Sequence, residues 1–323
     1  MSSVTPLATR ARSGAPLAAR CGGRRGRRTA VPYAFLTPAV ALFVLTFLLP
    51  IGYAVHLSLH KVQVSGLGLG RGSRSEVFAG LANYRAALAD PTLLTGALRV
   101  LGYGALLVPV MLGLALLFAL LLDRPRVGLQ RFSRVAIFLP YAVPAVIASL
   151  LWGFLYLPAT SPLNDMLDWL GGPQPDLLGT GTVFYAVVNI ALWGGVGFNM
   201  IVLFTALRAI PPELYESARI DGCSELQIAW RIKIPLLTPA LVMTTVFTMI
   251  ATLQVFSEPM TLRPLTNSIS STWTPLMKIY RDAFATDDRY AAAATSVIVA
   301  LVTLVLSFGF LRLVQRRAFG PER

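Results

Sequence analysis

Long apolar segments alternate with short polar ones along the 323-residue chain. Six apolar segments are long enough to cross a bilayer as a helix, which takes about 20 residues. Because lipid offers the backbone no hydrogen-bond partner, each of them must be helical. The pattern therefore predicts an all-α integral membrane protein with six transmembrane helices, at residues 33–59, 98–122, 134–157, 182–206, 238–256 and 291–313.

The composition supports this class of protein. Hydrophobic residues make up 55% of the chain and charged residues only 13%, whereas soluble domains carry about 25% charged residues. The first apolar segment is too long for a cleaved signal peptide and lacks a small-residue cleavage site. We therefore expect it to remain in the protein as the first transmembrane helix.

Positive charge is concentrated in the segments that would share one side of the membrane. With the N-terminus placed in the cytoplasm, the inside segments hold 19 of the 28 Lys and Arg residues, and the outside loops hold eight. This bias follows the positive-inside rule and predicts that both termini are cytoplasmic. Residues 1–32 contain seven arginines and no acid, so we expect a basic, disordered cytoplasmic arm that contacts anionic lipid rather than nucleic acid. Residues 316–323 are predicted to be a cytoplasmic tail.

Several kinds of chemistry lack the residues that would carry them. The sequence has no glycine-rich phosphate loop, so we expect the chain neither to hydrolyse ATP nor to bind a cofactor itself. The apolar segments are almost free of the acids that mark proton-driven carriers; Asp123 and Glu258 lie at helix ends. The apolar segments also hold no catalytic Ser–His or paired-carboxylate arrangement. The prediction is a passive pathway that another protein drives, and not an enzyme.

The two histidines, His56 and His60, lie one helical turn apart at the outer end of the first apolar segment. A metal pair fits that spacing, but zinc takes three or four protein ligands, and the sequence places no third ligand near them. We therefore interpret both as interfacial anchors and expect no metal site. Cys21 and Cys223 show neither a disulfide framework nor a metal-binding spacing.

A charged segment separates the fourth and fifth predicted helices: ELYESARIDGCSELQIAWRIKIP, residues 213–235. The prolines just before this segment suit the first turn of a helix. Gly222 can adopt the left-handed conformation that ends a helix, and Ser224 and Gln227 have capping-box spacing. The pattern predicts two short helices parallel to the membrane surface. Such helices can rest on lipid headgroups, but four acids against three bases favour a protein partner.

This segment resembles the EAA loop of ABC-importer permeases, which reads Glu-Ala-Ala, three residues, Gly, nine residues, Ile, any residue, Leu-Pro. Here Glu216, Ser217 and Ala218 are followed at the same intervals by Gly222 and by the segment 232–235, which reads IKIP. The resemblance implies that residues 207–237 form a cytoplasmic coupling loop whose first helix docks on an ATPase subunit. The implied coupling residues are Glu216, Ser217, Ala218, Asp221, Gly222, Ile232 and Pro235.

The resemblance extends over residues 33–315 and is closest to the carbohydrate-uptake branch. FLPYAVPAVIASLLWGFLY (138–156) resembles that branch's third core helix, and IYRDAF (279–284) its approach to the last helix. The branch's glycine-rich stretch after the fifth helix is replaced here by MTLRPLTNS (260–268). The implied fold is a six-helix permease domain of the type I importer kind, in a bacterial cell (inner) membrane.

The same resemblance implies the partners. A second, related but different permease subunit would complete the channel, and two ATPase subunits carrying ATP and Mg would drive it. An extracellular or lipid-anchored sugar-binding protein would deliver a di- or oligosaccharide. Two alternatives remain: an ABC permease for another solute, for which the lack of charged residues along the helices favours a neutral cargo, and a self-sufficient secondary carrier or intramembrane enzyme.

The implied cargo pathway lies on the fourth and fifth helices. Threonines at four-residue spacing form a stripe on the fifth helix, and a glycine-rich patch with aromatic and amide neighbours lies on the fourth. Small residues and threonines at helical spacing also pack membrane helices together, and this alternative stays open. The predicted pathway residues are Trp193, Gly195, Phe198, Asn199, Thr248 and Thr252.

Overall fold

The chain divides into two compact units, Met1–Tyr53 and Ala54–Arg323, and the computed structural model describes residues 25–64, 74–123, 130–172 and 175–318. The N-terminal unit begins with the helix Arg25–Phe43, which continues through a π-helical turn at Val44–Leu48. Residues 25–32 of the arm predicted to be disordered therefore lie in a helix. Residues 1–24 of the predicted arm lie outside the described residues.

Within the described residues, five spans and one sharply bent helix pair are long and apolar enough to cross a membrane. We number them in chain order. Spans 1 to 6 are Phe35–Ser58, Pro91–Leu122, the pair Gln130–Ala142 with Ala145–Tyr156, Val183–Arg208, Thr238–Leu265 and Arg289–Arg312. The end of the second unit that carries residues 209–237 is called the inner end, and the opposite end is called the outer end.

The prediction of one continuous third helix over 134–157 is wrong, because span 3 bends by 97°. The helix Gln130–Phe138 passes into a 3₁₀ turn at Leu139–Ala142, and a new helix starts at Ala145. The break follows from Pro144, whose ring forces the preceding residue into an extended conformation. Val143 accordingly has φ −80° and ψ 125°. Span 3 is therefore two half-helices that meet at an angle.

The outer end carries short elements, including the two-stranded antiparallel hairpin β1 (His60–Val64) and β2 (Arg74–Phe78). This hairpin is an exception to the predicted all-α class. Beside it lies the helix Ala82–Ala89, and Asp90 then caps span 2 by accepting from the Thr92 N–H at 2.8 Å. The other short outer helices are Pro162–Trp169, Ser257–Leu262 and Pro275–Tyr280.

Three predicted boundaries differ from the structure. Span 2 begins at Pro91 rather than at residue 98, because Asp90 provides an N-cap and proline suits the first turn. Span 5 consists of the helices Thr238–Leu253 and Ser257–Leu262 and a 3₁₀ turn, so the segment without the branch's glycines is largely helical. The last helix, Arg289–Ala318, includes the first residues of the predicted tail.

Spans 2 and 4 form the centre of the second unit. Towards the inner end, Ala115 and Ala119 of span 2 are fully buried against Met200 and Leu203 of span 4. Small residues at this interface let the two backbones approach closely, as is usual between membrane helices. Towards the middle of the spans, this packing gives way to a cavity.

Candidate transport pathway and coupling site

A cavity of about 780 Å³ lies between spans 2, 4 and 5 and the bend of span 3. The bend contributes Pro140, Tyr141 and Pro144 to its wall. Irregular backbone at membrane depth is tolerated where it lines a cavity rather than lipid, and broken helices of this kind commonly form transport sites. The size lies within the range of about 300–1,000 Å³ that is usual for small-molecule sites.

Five of the six predicted pathway residues line this cavity: Gly195, Phe198, Asn199, Thr248 and Thr252. The sixth, Trp193, does not contribute to the lining. Its indole is half-buried and packs edge-to-face on Trp152, with ring centroids 6.0 Å apart. Trp193 faces away because its neighbours Gly194 and Gly195 occupy the cavity side of the helix. The structure thus places Trp193 in helix packing.

The polar groups of the cavity wall are hydrogen-bonded to one another. The Thr248 hydroxyl donates to Asn199 Oδ1 at 3.3 Å, which joins span 5 to span 4. The Asn199 amide donates to the Gly195 carbonyl at 3.0 Å, and the Thr252 hydroxyl donates to the Thr248 carbonyl at 2.6 Å. All three side chains are more than nine-tenths buried. They therefore pack the two spans together as well as line the cavity.

An aromatic pair forms another part of the wall. The Tyr141 ring stacks on Phe198, with centroids 4.9 Å apart and planes 21° from parallel. Tyr141 is half exposed, so its ring is available to the cavity. Tyr141 was not among the predicted pathway residues, because only the bend of span 3 turns it towards span 4. The two prolines that flank it, Pro140 and Pro144, were the signal that could have found it.

The glycine patch of span 4 serves two purposes. A Cβ on Gly194 would meet nothing within 4 Å, and one on Gly195 would meet only the flexible end of Met111. A Cβ on Gly197 would lie 2.2 Å from the Ile137 carbonyl oxygen and 2.7 Å from the Phe138 Cα. Gly197 is therefore needed for close packing against span 3, while Gly194 and Gly195 open the cavity.

Glu258 also lines the cavity, among aromatic and hydroxyl groups. The sequence pattern predicts Glu258 at a helix end and spans that are nearly free of acids. The structure corrects that description, because the chain resumes as a helix at Ser257 and keeps Glu258 at the outer end of the cavity. Among the described lining residues, Glu258 is the single charged side chain.

The coupling loop has the two-helix form that its sequence predicts. Its first helix, Glu213–Ile220, ends with Gly222 in the left-handed region at φ +80°. The Cys223 N–H donates to the Ala218 carbonyl at 2.9 Å, and the Gly222 N–H to the Arg219 carbonyl at 3.0 Å. These two bonds form a Schellman motif, which satisfies carbonyls that a helix end leaves unpaired. Glycine is favoured at this position because a Cβ there is strained.

The second helix, Glu225–Ile228, begins with a capping box. The Gln227 N–H donates to the Ser224 hydroxyl at 3.3 Å, and the Ser224 N–H donates to Gln227 Oε1 at 2.8 Å. A π-helical turn at Ala229–Lys233 then leads towards span 5. The loop is thus a folded element with caps at both of its helices.

The predicted coupling residues divide into exposed and packed groups. Glu216, Ser217 and Asp221 are exposed, whereas Ala218 is buried. Apolar side chains are exposed beside the first group, since Ile220 is 86% exposed. The remaining members are Gly222 and Pro235, which are exposed, and Ile232, which is half-buried. The exposed surface is that of the first helix, and Ala218 lies on the buried side of this helix.

A buried ion pair fastens the loop to span 2. Lys233 Nζ lies 2.5 Å from Asp123 Oδ2, and both side chains are only 8% exposed. The Arg208 guanidinium at the end of span 4 lies 3.7 Å from the same carboxylate. Lys233 also lies 4.8 Å from the centre of the Tyr215 ring. Burial, and secondly the charge of Asp123, raise the pKa of the Tyr215 hydroxyl.

These features together define a class of protein. A helical bundle has a central cavity with a broken helix in its wall, and a capped two-helix loop at its inner end is fixed to span 2 by an ion pair. An arrangement of this kind is expected of a transport subunit that is moved from outside the membrane.

Comparison with known proteins identifies the family. Residues 111–320 match the family described as binding-protein-dependent transport system inner membrane component. The sn-glycerol-3-phosphate transport system permease protein UgpA of Agrobacterium fabrum is 31% identical over 89% of this chain and 95% of its own. The UgpA protein of Salmonella typhimurium is 30% identical over the same shares. A bacterial alginate ABC transporter, solved with an alginate pentasaccharide-bound periplasmic protein, aligns with a TM-score of 0.77 at 22% identity, over 92% of this chain and 98% of the matched one.

The chain belongs to the family of binding-protein-dependent transport system inner membrane components. The predicted resemblance to ABC-importer permeases and the predicted permease fold are thereby confirmed. Its relatives are transport permeases and not enzymes. The family is one of multi-pass inner-membrane proteins, which agrees with the predicted membrane localisation.

Proposed function

We propose that this chain is one permease subunit of an ABC importer that moves a neutral carbohydrate inward by alternating access. The observation that carries the proposal is the direct connection between the coupling loop and the cavity-lining bundle. Lys233 of the loop pairs with Asp123 at the inner end of span 2, and span 2 contributes Tyr103 and Leu107 to the cavity wall. A displacement of the loop would therefore act on the wall of the cavity.

The chemistry of the cavity favours a carbohydrate. Sugars present both hydroxyl groups and apolar ring faces, so their sites combine polar partners with aromatic surfaces. The stacked pair Tyr141 and Phe198 offers an aromatic surface, and Thr248 and Asn199 lie in the same lining. The cavity volume of about 780 Å³ is sufficient for a small saccharide.

The charge of the cavity favours a neutral cargo. The UgpA relatives are named for sn-glycerol-3-phosphate and the solved relative for alginate, an acidic polysaccharide. A phosphate or carboxylate group would meet the Glu258 carboxylate, and the described lining holds no Lys or Arg to balance it. Like charges in a site of low dielectric repel each other. The cargo is therefore a neutral saccharide, whose hydroxyl groups can donate hydrogen bonds to Glu258.

The subunit works with partners. The exposed face of the helix Glu213–Ile220 docks on one ATPase subunit, and two such subunits bind ATP with Mg. A second, related permease completes the channel, and an extracellular sugar-binding protein delivers the cargo. In this arrangement the coupling loop and both termini are cytoplasmic. ATP-driven closure of the ATPase pair moves the docked helix and turns the cavity from one side of the membrane to the other.

Site-directed cross-linking tests the docking. Ile220 is 86% exposed on the docking helix, so it is a better attachment point than the buried Ala218. The experiment uses an Ile220→Cys variant in a chain whose two native cysteines are replaced by serine, carrying a photoactivatable cross-linker in intact membranes. We expect capture of an ATP-binding subunit. Asp165→Cys, in the first turn of an exposed outer helix, is the matched control and should capture none. Failure of Ile220→Cys to capture an ATP-binding subunit would remove the assigned role of the loop.

Competition for uptake tests the cargo class. The parent transporter should be inhibited by neutral saccharides and not by sugar phosphates or uronates. Glu258→Gln should relax this exclusion of anions by removing the charge while keeping the shape. If sugar phosphates compete equally in the parent transporter, the cargo assignment is wrong.

A further inference from the structure

Three metal-ligating side chains meet at the outer end of the second unit, away from the cavity. One ligand atom each of His56, His60 and Glu76 lies within 4.8 Å of the other two. His56 and His60 are the only two histidines in the whole sequence. The spacing of this pair alone predicts interfacial anchors rather than a metal site, because no third ligand lies near it in the sequence. The fold supplies that ligand from a different strand.

The hairpin register explains how Glu76 arrives there. His60 is the first residue of β1, and Val62 of β1 is paired with Glu76 of β2. Because side chains alternate between the faces of a strand, His60, Val62 and Glu76 share one face of the hairpin. His60 and Glu76 are thus diagonal neighbours on that face, which lets their side chains meet. His56 lies four residues before His60, in the last turn of the helix that ends at Ser58.

Hydrogen bonds hold the backbone of this corner in place. The Asn83 amide donates to the carbonyls of both Ser58 and His60, at 2.8 and 2.7 Å. The buried Ser58 hydroxyl lies 2.6 Å from the Tyr84 hydroxyl. The helix end and the start of β1 are therefore tied to the following outer helix. A site on this corner rests on ordered backbone rather than on a free loop.

The orientation of His60 is the one that a metal ligand needs. Its Nδ1 lies 2.7 Å from the His56 carbonyl oxygen. A carbonyl can only accept, so Nδ1 carries the proton and the lone pair lies on Nε2. Metal-bound histidines almost always donate their second ring nitrogen to a carbonyl or carboxylate in this way. The two imidazole rings are stacked with centroids 4.1 Å apart, so the two histidine side chains already lie side by side at this corner.

We propose that His56, His60 and Glu76 bind a divalent transition metal ion, with Zn²⁺ as the preferred occupant. Two imidazole nitrogens and one carboxylate oxygen are a ligand set that zinc accepts, with water in the fourth position. Tetrahedral bonds of 2.0–2.1 Å place ligand atoms about 3.4 Å apart. Contraction from 4.8 Å takes rotation of the exposed His56 and Glu76 side chains, while His60 keeps its backbone bond.

The bound ion acts as a structural cross-link. It joins the last helical turn before Ser58 to β2, and so fixes the hairpin on the side of the membrane opposite the coupling loop. An isolated two-stranded hairpin is only marginally stable in water. Metal binding contributes directly to the stability of whatever it holds together. The site touches neither the cavity nor the loop, so this inference stands independently of the proposed cargo.

Metal analysis of the assembled transporter tests the site. The complex is purified with an affinity tag that contains no histidine, and zinc is measured by mass spectrometry and by isothermal titration. We expect one Zn²⁺ ion per copy of this chain. Substitutions His56→Ala, His60→Ala and Glu76→Gln should each weaken binding at least tenfold. Ser75→Ala is the matched control, because Ser75 precedes Glu76 in β2 but lies on the opposite face, and its affinity should be unchanged.

Two results would overturn the proposal. One is the same zinc content in the parent complex and in a His56→Ala/His60→Ala complex, which would place any bound zinc on another subunit. The other is site-specific binding without any change in hydrogen exchange of the β1 and β2 amides, which would contradict the role of the ion as a structural cross-link. The expected result is slower exchange in the hairpin upon zinc addition, seen in the parent chain and in Ser75→Ala and lost in His60→Ala.

Discussion

The ion pair between Asp123 and Lys233 provides the sharpest test of how the coupling loop is held. The variant Lys233→Met removes the ammonium group and keeps most of the side-chain volume. It leaves the Asp123 carboxylate, which is 8% exposed, with Arg208 as the remaining cationic partner among the described residues. Arg208 lies at 3.7 Å instead of 2.5 Å, and its side chain is 53% exposed. It can therefore compensate the buried charge only weakly.

The expected magnitude follows from this geometry. Leaving one charge of a buried pair without its partner costs about 3–5 kcal/mol of stability. The surface pair Arg219 and Glu225 is the internal reference, because it has a similar distance of 2.9 Å but both side chains are nearly half exposed. Breaking an exposed pair costs about 0–1 kcal/mol. The double variant Asp123→Leu/Lys233→Met buries no charge and should recover most of the loss.

Thermal unfolding of the transporter in lipid nanodiscs measures the difference. We expect Lys233→Met to lower the unfolding midpoint at least three times as much as Glu225→Gln, and the double variant to lie close to the parent. Equal shifts for Lys233→Met and Glu225→Gln would refute the reasoning, because the buried pair would then behave as a solvated one. A double variant as unstable as Lys233→Met would also contradict it.

Three further predictions concern positions that the structure makes critical. Gly197→Ala should prevent stable folding, because the new methyl group overlaps the Ile137 carbonyl oxygen, whereas Gly194→Ala should fold normally. Size-exclusion chromatography of the two variants, expressed and extracted in detergent, distinguishes them. Gly222→Val should destabilise the loop by about 1–2 kcal/mol, because φ is +80°, and limited proteolysis should cut its loop faster than that of Gly194→Ala. For the Asp90 carboxyl, partial burial alone would raise the pKa, but hydrogen bonds from Thr92 and Lys278 outweigh it and leave the pKa below the ordinary value. The contribution of the ionised Asp90 carboxylate to stability is therefore present above about pH 4 and lost as the pH falls further. A plot of unfolding midpoint against pH should be flatter for Asp90→Asn than for the parent protein in this acidic range. An unchanged slope would contradict this assignment.

Local sequence patterns predict the parts of the fold that depend on local physics. The apolar segments locate the spans because the bilayer requires long helices. Gly222 predicts where the first helix of the coupling loop ends, and the capping box of Ser224 predicts where the second begins, because each acts on residues within one helical turn. Threonines at four-residue spacing predict one face of span 5, and the cavity lies on that face.

Features that depend on distant residues could not be predicted in the same way. Glu76 reaches the histidines only because β2 folds back on β1. Lys233 meets Asp123 across 110 positions of sequence. Tyr141 stacks on Phe198 because span 3 bends by 97°, whereas an apolar run of this length by itself predicts one membrane helix. Trp193 was placed on the pathway because aromatic residues suit sugars, although its helix face belongs to the packing with Trp152.

We infer that this subunit has no energy source of its own and is driven by an ATPase partner through the loop at 207–237. Transport by purified components in proteoliposomes tests it most directly, with a radiolabelled neutral saccharide and with ATP supplied on the coupling-loop side. We expect uptake when the second permease, the ATPase subunits, the sugar-binding protein and ATP are all present, and loss of that uptake in Glu216→Lys while the subunit remains inserted. Accumulation of the saccharide by this chain alone, or unchanged uptake in Glu216→Lys, would contradict it.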